Sequence, residues 1–233
     1  MSERTATKEK QSNRMIVAID GPAGVGKSTV AKLLAARLGY LYLDTGALYR
    51  AVAWNVLHHG VNPAESQAVE SLLATTLIQM QFENGTVNVL VNGENISGEL
   101  RTPAVSAAAS IVSAIPAVRA WLLPVQRQIG GNGAVVAEGR DIGTKVFPQA
   151  DVKFFLEADA DVRTQRRHRE LVAAGHVGAI EQTGADLVGR DTRDRTRTVA
   201  PLVPAEDAQH IDTSAMTIED VVNQMMAVIA AKL

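Results

Sequence analysis

Met15-Ile-Val-Ala-Ile-Asp-Gly-Pro-Ala-Gly-Val-Gly-Lys-Ser-Thr29, continued by Val30-Ala-Lys-Leu-Leu-Ala-Ala-Arg-Leu38, joins an apolar run, a glycine turn and a second apolar run at helical spacing. Gly21 to Ser28 match G-x-x-x-x-G-K-[ST], the phosphate-binding loop. The run before the loop reads as a buried strand and the run after it as a helix. Strand, glycine turn, helix is the setting this motif requires. An ordinary glycine turn is the bland alternative, and it needs the motif and both flanks to coincide by chance.

A phosphate chain must be wrapped closely by backbone N–H groups. Gly21, Gly24 and Gly26 omit the Cβ atoms that would block the approach, so that Gly21, Pro22, Ala23, Gly24, Val25 and Gly26 form a cradle. The next helix offers unpaired N–H groups and the positive end of its dipole. Lys27 supplies a mobile charge for the β- and γ-phosphates, and Ser28 a hydroxyl for Mg²⁺. Thr29 is placed for the α-phosphate.

Composition narrows the rest. With 233 residues, 46% hydrophobic, the chain suffices for one sizeable core and an inserted lobe. Its net charge of −2 argues against a nucleic-acid coat. Without cysteine, thiolate catalysis, disulfides and zinc–sulfur sites are excluded. His58 and His59 read as solvated side chains at a helix end. No apolar run has the length of a membrane span, and residues 1–14 are polar, without a signal-peptide core. They read as a disordered tail, and the protein as cytoplasmic. Half of the arginines lie between Arg163 and Arg197. Such a cluster suits phosphate oxygens. The same cluster suits a charged helix surface with pairs such as Arg190–Asp194 and Asp191–Arg195.

Strands are expected at 15–20, 40–44, 134–138, 152–156 and 210–212. Helices are expected at 30–38, from Thr45 to about His59, 63–76, 102–113, 116–129 with Pro116 at its start, 159–174, 185–196, and 217–231 with Thr217 as cap. A connection punctuated by Gly175, Gly178 and Gly184 precedes the helix at 185. Residues 78–82 and 86–91 alternate like strands, with hairpin turns at Asn84-Gly85 and Asn92-Gly93. The fold class is therefore α/β, a parallel sheet with a small antiparallel insertion. Ligands in open α/β sheets bind at the carboxyl ends of strands. Three such ends carry chemistry, at 21–29, 44–50 and 138–143, and order alone suggests that they share a cleft.

No N-K-x-D segment for guanine is present, and the strand 134–138 ends in Glu138, not the Asp of larger ATPases. A loop-first chain with T-G-x-x-Y-R, G-R-D and a late arginine cluster fits a small-molecule kinase. Such an enzyme holds two polyanions together, offsets their repulsion with cations and excludes water.

The segments Ile19–Thr29, Leu43-Asp-Thr-Gly-Ala-Leu-Tyr-Arg50, Glu138-Gly-Arg-Asp-Ile-Gly-Thr144, Val146-Phe-Pro148, Arg190-Asp-Thr-Arg-Asp-Arg195 and Ala200-Pro-Leu-Val-Pro204 together resemble the bacterial cytidylate kinases, in order from about 15 to 231. The loop is common to many families; the combination of the others is specific. The resemblance implies a three-layer P-loop kinase fold. Its parts would be a five-stranded parallel core (15–60, 116–160 and 197–233), a monophosphate-binding insertion with a small antiparallel sheet (61–115) and a helical lid (161–196). It implies transfer of the γ-phosphate of ATP to CMP or dCMP, with Mg²⁺, by a monomer.

Position by position, the resemblance gives Thr45, Arg50, Arg140 and Arg197 the acceptor phosphate. Ser110, Arg119 and Asp141 take the cytosine, and Arg190 and Asp194 the sugar. Positions 190, 194 and 197 are expected on one helical face. Lys27, Arg140 and Arg197 are the catalytic cations, and Arg166 is the lid candidate for ATP. Cytosine presents N3 and O2 as acceptors and an amine as donor, which an arginine and a carboxylate complement. Uracil reverses two of those signs, a mismatch worth roughly 10⁴-fold in a buried site. Arg119 as a helix-surface charge and Asp141 as a turn cap are the structural alternatives. The competing functions are another small P-loop kinase, for UMP, a nucleoside or a metabolite such as shikimate, and a nucleotide sensor without turnover.

Overall fold

The computed structural model describes residues 14–83 and 86–232. The Asn84-Gly85 turn and the tail up to residue 13 lie outside them. Five strands form one parallel sheet in the order β2-β6-β1-β7-β8: β1 (Ile16–Asp20), β2 (Leu41–Asp44), β6 (Val135–Gly139), β7 (Val152–Glu157) and β8 (Gln209–Asp212). β1 is central, paired in parallel with β6 and β7. That position explains its composition. A strand covered on both faces reads as a continuous apolar run, and Val17, Ala18 and Ile19 are fully buried.

The chain divides into two compact units. One comprises the chain up to Leu43, Arg127–Thr196, and everything from Ala200 on. Here α1 (Lys27–Leu38) and α8 (Ile218–Ala230) cover the sheet. Leu34 of α1 and Val222, Met225 and Ile229 of α8 pack with Ile19, Val136, Phe154, Leu156 and Ile211 of the strands. Truncating one such side chain to alanine costs about 2–5 kcal/mol. Thr217 caps α8 as expected. It accepts from the Asp220 N–H at 3.2 Å, and the Asp220 carboxylate accepts back from the Thr217 N–H. The same unit carries a π-helical turn (Ile142–Val146) after β6, and helices α6 (Ala160–Ala173) and α7 (Ile180–Thr196).

The other unit is Asp44–Gln126 with Arg197–Val199. It holds α2 (Thr45–His58), α3 (Ser66–Leu73), α4 (Pro103–Val112), most of α5 (Pro116–Gly130), and an antiparallel sheet of β3 (Ile78–Glu83), β4 (Thr86–Val91) and β5 (Glu94–Asn95). Pairing runs from Ile78↔Val91 to Glu83↔Thr86. Asn92 (φ 50°) and Gly93 (φ 87°) both take positive φ, as a two-residue hairpin between β4 and β5 demands.

Two local expectations fail. Gly184 is not in a loop; it lies within α7, which begins at Ile180. A Cβ there would meet Thr164 of α6 at 3.4 Å. That is ordinary van der Waals distance, and a single glycine lowers helix propensity by only about 1 kcal/mol, which the rest of α7 absorbs. Arg197 does not share a helical face with Arg190 and Asp194, because α7 ends at Thr196. No single helix among the described residues is long and apolar enough to cross a membrane.

Candidate active site

The glycine loop spans the gap between β1 and α1. Gly21 has φ 148°, and a Cβ on it would stand 2.2 Å from the carbonyl oxygen of Leu156 in β7. Gly24 (φ 79°) abuts the start of α6, where a Cβ would lie 2.9 Å from the Arg163 carbonyl oxygen. The Lys27 ammonium turns back into the loop and donates to the Pro22 carbonyl at 2.6 Å. Burial, aided by the nearby Arg140 and Arg190 and opposed by Glu138 and Asp20, brings its pKa down to about 7. An anion in the loop reverses that balance, since it favours the charged ammonium.

Asp20, at the end of β1, is a buried carboxylate next to the loop that the motif does not include. Its Oδ1 accepts from the Ile142 N–H and its Oδ2 from the Gly143 N–H, each at 2.8 Å. Burial raises its pKa to about 6, against the pull of these two amides. Asp20 thereby ties the end of the phosphate-loop strand to the turn that follows Arg140 and Asp141. The available signal was an acidic residue closing an otherwise apolar buried strand.

Arg140 donates through Nε to Asp194 Oδ2 at 2.8 Å and through Nη1 to the Gly139 carbonyl at 3.1 Å. Burial works against its charge. Asp194, then Glu138 and Asp191, outweigh it and raise the pKa above the usual arginine range. Arg163 forms an ion pair with Asp191 and donates to the Ala23 carbonyl at 3.2 Å. Acidic residues of α7 therefore hold arginines from other segments, beyond any i,i+4 pairing along their own helix. Arg166 donates to Thr213 Oγ1 at 3.0 Å and to the Thr213 carbonyl at 2.7 Å. Asp141 is buried, and its side chain does not cap the π-helical turn.

The second unit contains Thr45, Arg50, Ser110, Arg119 and Arg197. Thr45, Ser110, Arg119 and Arg197 are buried. Arg119 is no surface charge. Its Nη1 donates to the Ser113 carbonyl at 3.1 Å, and its guanidinium lies 5.3 Å from the centre of the Tyr49 ring. Arg50 donates to Asp44 Oδ2 at 2.7 Å, with Arg101 at 3.7 Å from the same oxygen. Burial opposes ionisation of Asp44, and these arginines outweigh it, holding the carboxyl below its usual range. Arg101 is a second cation beside Asp44 that no motif marked.

The donor set suits a phosphate-borne Mg²⁺. Among the described residues no group of three His, Asp or Glu could cage a cation. Asp20 is engaged by two amides, and Glu138 accepts from the Tyr42 hydroxyl at 2.8 Å. The half-buried hydroxyl-bearing Ser28 sits in the first turn of α1. Mg²⁺ characteristically takes one or two protein oxygens and completes its shell with phosphates and water.

A five-stranded parallel sheet with a glycine loop, a buried lysine and a helix directly after its central strand defines a P-loop kinase core. The model of the cytidylate kinase family matches residues 17–231. A cytidylate kinase of Pelotomaculum thermopropionicum is 46% identical over 92% of this chain and 96% of its own length. One from Syntrophotalea carbinolica is 47% identical over 95% and 94%. The crystal structure of an uncharacterized protein from Eubacterium ventriosum aligns with TM-score 0.53 at 13% identity, over 94% of this chain and 99% of that one, a likeness of fold alone. The chain belongs to the cytidylate kinase family.

Proposed function

We propose that this enzyme transfers the γ-phosphoryl group of ATP to CMP or dCMP, yielding CDP or dCDP and ADP. The observation that carries the reading is the loop itself. Lys27 is buried beside a glycine cradle at the head of a helix, with burial drawing its pKa down to about 7. An oxygen of the acceptor monophosphate attacks the γ-phosphorus in line as the bond to the β-phosphate oxygen breaks. That oxygen is anionic at neutral pH, so no general base is needed. Positioning and charge stabilisation do the catalysis.

On the donor side, Gly21 to Thr29 wrap the triphosphate, Lys27 meets the β- and γ-phosphates and Ser28 faces Mg²⁺. The ion, when bound, neutralises charge developing on the β- and γ-oxygens. On the acceptor side, Thr45, Arg50, Arg140 and Arg197 hold the monophosphate. Ser110, Arg119 and Asp141 read the base, and Arg190 and Asp194 hold the sugar. The buried state of Arg119 and Asp141 supports base reading, because a mismatched partner there would leave polar groups unpaired. Residues 61–115 serve as the monophosphate-binding insertion and 161–196 as the lid. The enzyme works as a cytoplasmic monomer.

The test is ADP formation from Mg-ATP and CMP by the purified chain and its Lys27→Ala variant. Turnover by the former, and a loss of kcat of at least about 10²-fold in a folded variant, is expected. Near-normal turnover by the variant contradicts the scheme.

A further inference from the structure

Phosphate-loop N–H groups must point at the anion, and two of them belong to glycines that tolerate almost any backbone orientation. The structure shows what holds them. A trans peptide is planar, with its C=O and N–H pointing in opposite directions. Fixing the Ala23 carbonyl therefore aims the Gly24 N–H, and fixing the Val25 carbonyl aims the Gly26 N–H. Both carbonyls have a donor from outside the loop within hydrogen-bond reach. Arg163 donates to the Ala23 oxygen at 3.2 Å, and its guanidinium is held in turn by Asp191 of α7. The Thr213 hydroxyl lies 3.2 Å from the Val25 oxygen, with Arg166 donating to that same hydroxyl at 3.0 Å. The hydroxyl proton is shared between the Val25 oxygen and the Glu157 oxygen at 3.1 Å, which also accepts from the Thr213 N–H at 2.8 Å. Arg166 occupies the acceptor side of the hydroxyl and leaves its single proton for a carbonyl.

We propose that Arg163 and, through Thr213, Arg166 are positioning residues that aim the Gly24 and Gly26 N–H groups of the loop at the donor phosphates. This rests on the loop binding ATP. It assigns Arg166 an action through Thr213 in place of direct contact with the nucleotide. It also makes Asp191 part of the donor site: the carboxylate keeps Arg163 turned toward Ala23, so α6 and α7 bear on the loop through one ion pair.

The test is calorimetric ATP affinity, together with KM for ATP and for CMP, in wild type, Thr213→Val, Arg163→Ala and Arg163→Lys. Thr213→Val keeps the shape of the side chain and removes only the hydroxyl. Loss of one such hydrogen bond is expected to weaken ATP binding about tenfold, with KM for CMP unchanged. Arg163→Ala should weaken ATP binding likewise, with KM for CMP unchanged, and should lower the melting temperature because Asp191 loses its ion-pair partner. Arg163→Lys, which keeps one charged donor for Ala23 but loses the fork, should fall between. Unchanged ATP affinity in Thr213→Val and Arg163→Ala overturns the proposal. So does a parallel rise of both KM values with a lowered melting temperature, which marks a merely structural role. Wild-type chain that binds ATP without phosphorylating CMP refutes the assigned reaction alone, because the affinity measurements do not need turnover.

Discussion

The ammonium of Lys27 donates to the carbonyl of Pro22, five residues back, at 2.6 Å. The lysine proposed to meet the donor phosphates is thus parked against the loop's own backbone. Its pKa near 7, set first by burial, leaves it largely neutral at pH 8. A triphosphate in the loop restores the charged form. ATP binding at pH 8 should therefore take up about one proton, read from the dependence of calorimetric enthalpy on buffer ionisation heat. Uptake should vanish in Lys27→Met. Its persistence in that variant would reassign the proton. The stability sign follows the same shift. Between pH 7 and the unfolded lysine value of 10.5, the unfolded chain holds more protons, so Lys27 makes stability rise with pH across that window.

Asp44 works in the opposite pH range. It accepts from the Ala47 N–H at 3.0 Å as the cap of α2 and pairs with Arg50. Its depressed pKa means that its stabilisation is present above the unfolded value of 3.8 and is lost as pH falls through the folded value. Asp44→Asn should destabilise by about 1 kcal/mol or more at pH 7. The gap to wild type should shrink below about pH 4 in urea titrations. A gap that widens on acidification contradicts the assignment.

Gly21 and Gly26 predict contrasting defects. A Cβ at Gly21 would strike the Leu156 backbone at 2.2 Å, whereas one at Gly26 (φ 92°) meets nothing within 4 Å. Gly21→Ala should lower the melting temperature strongly. Gly26→Ala carries only backbone strain of about 1–2 kcal/mol, and should fold while binding ATP poorly. Equal melting temperatures for the two variants would show that β7 yields to the added methyl.

Arg119 and Asp141 are proposed to choose the base. Asp141→Ala should lower the ratio of kcat/KM for CMP over UMP by at least about tenfold. An unchanged ratio assigns specificity elsewhere.

Features written in a few neighbouring residues were legible beforehand. The glycine loop, the Asn92-Gly93 turn, the Thr217 cap and the five strands all rest on local chemistry, and the structure has each of them. Features made by distant partners were not. Asp20 meets Ile142 and Gly143 across more than a hundred residues, Thr213 meets Val25 across nearly two hundred, and Arg163 meets Asp191 through the packing of α6 on α7. Gly184 misled for a different reason. A lone glycine weakens a helix without breaking it, and the flanking residues of α7 carry the helix through it. Arg197 misled because a helical face was extended one residue past the helix end.

The proposed reaction is phosphoryl transfer from a loop-bound triphosphate to cytidine or deoxycytidine monophosphate. Steady-state kinetics with Mg-ATP and, in turn, CMP, dCMP, UMP and AMP test it most directly. ADP formation with CMP and dCMP is expected at kcat/KM values well above those for UMP and AMP; tight ATP binding with no ADP formed on addition of CMP, or a preference for UMP or AMP, would overturn the assignment.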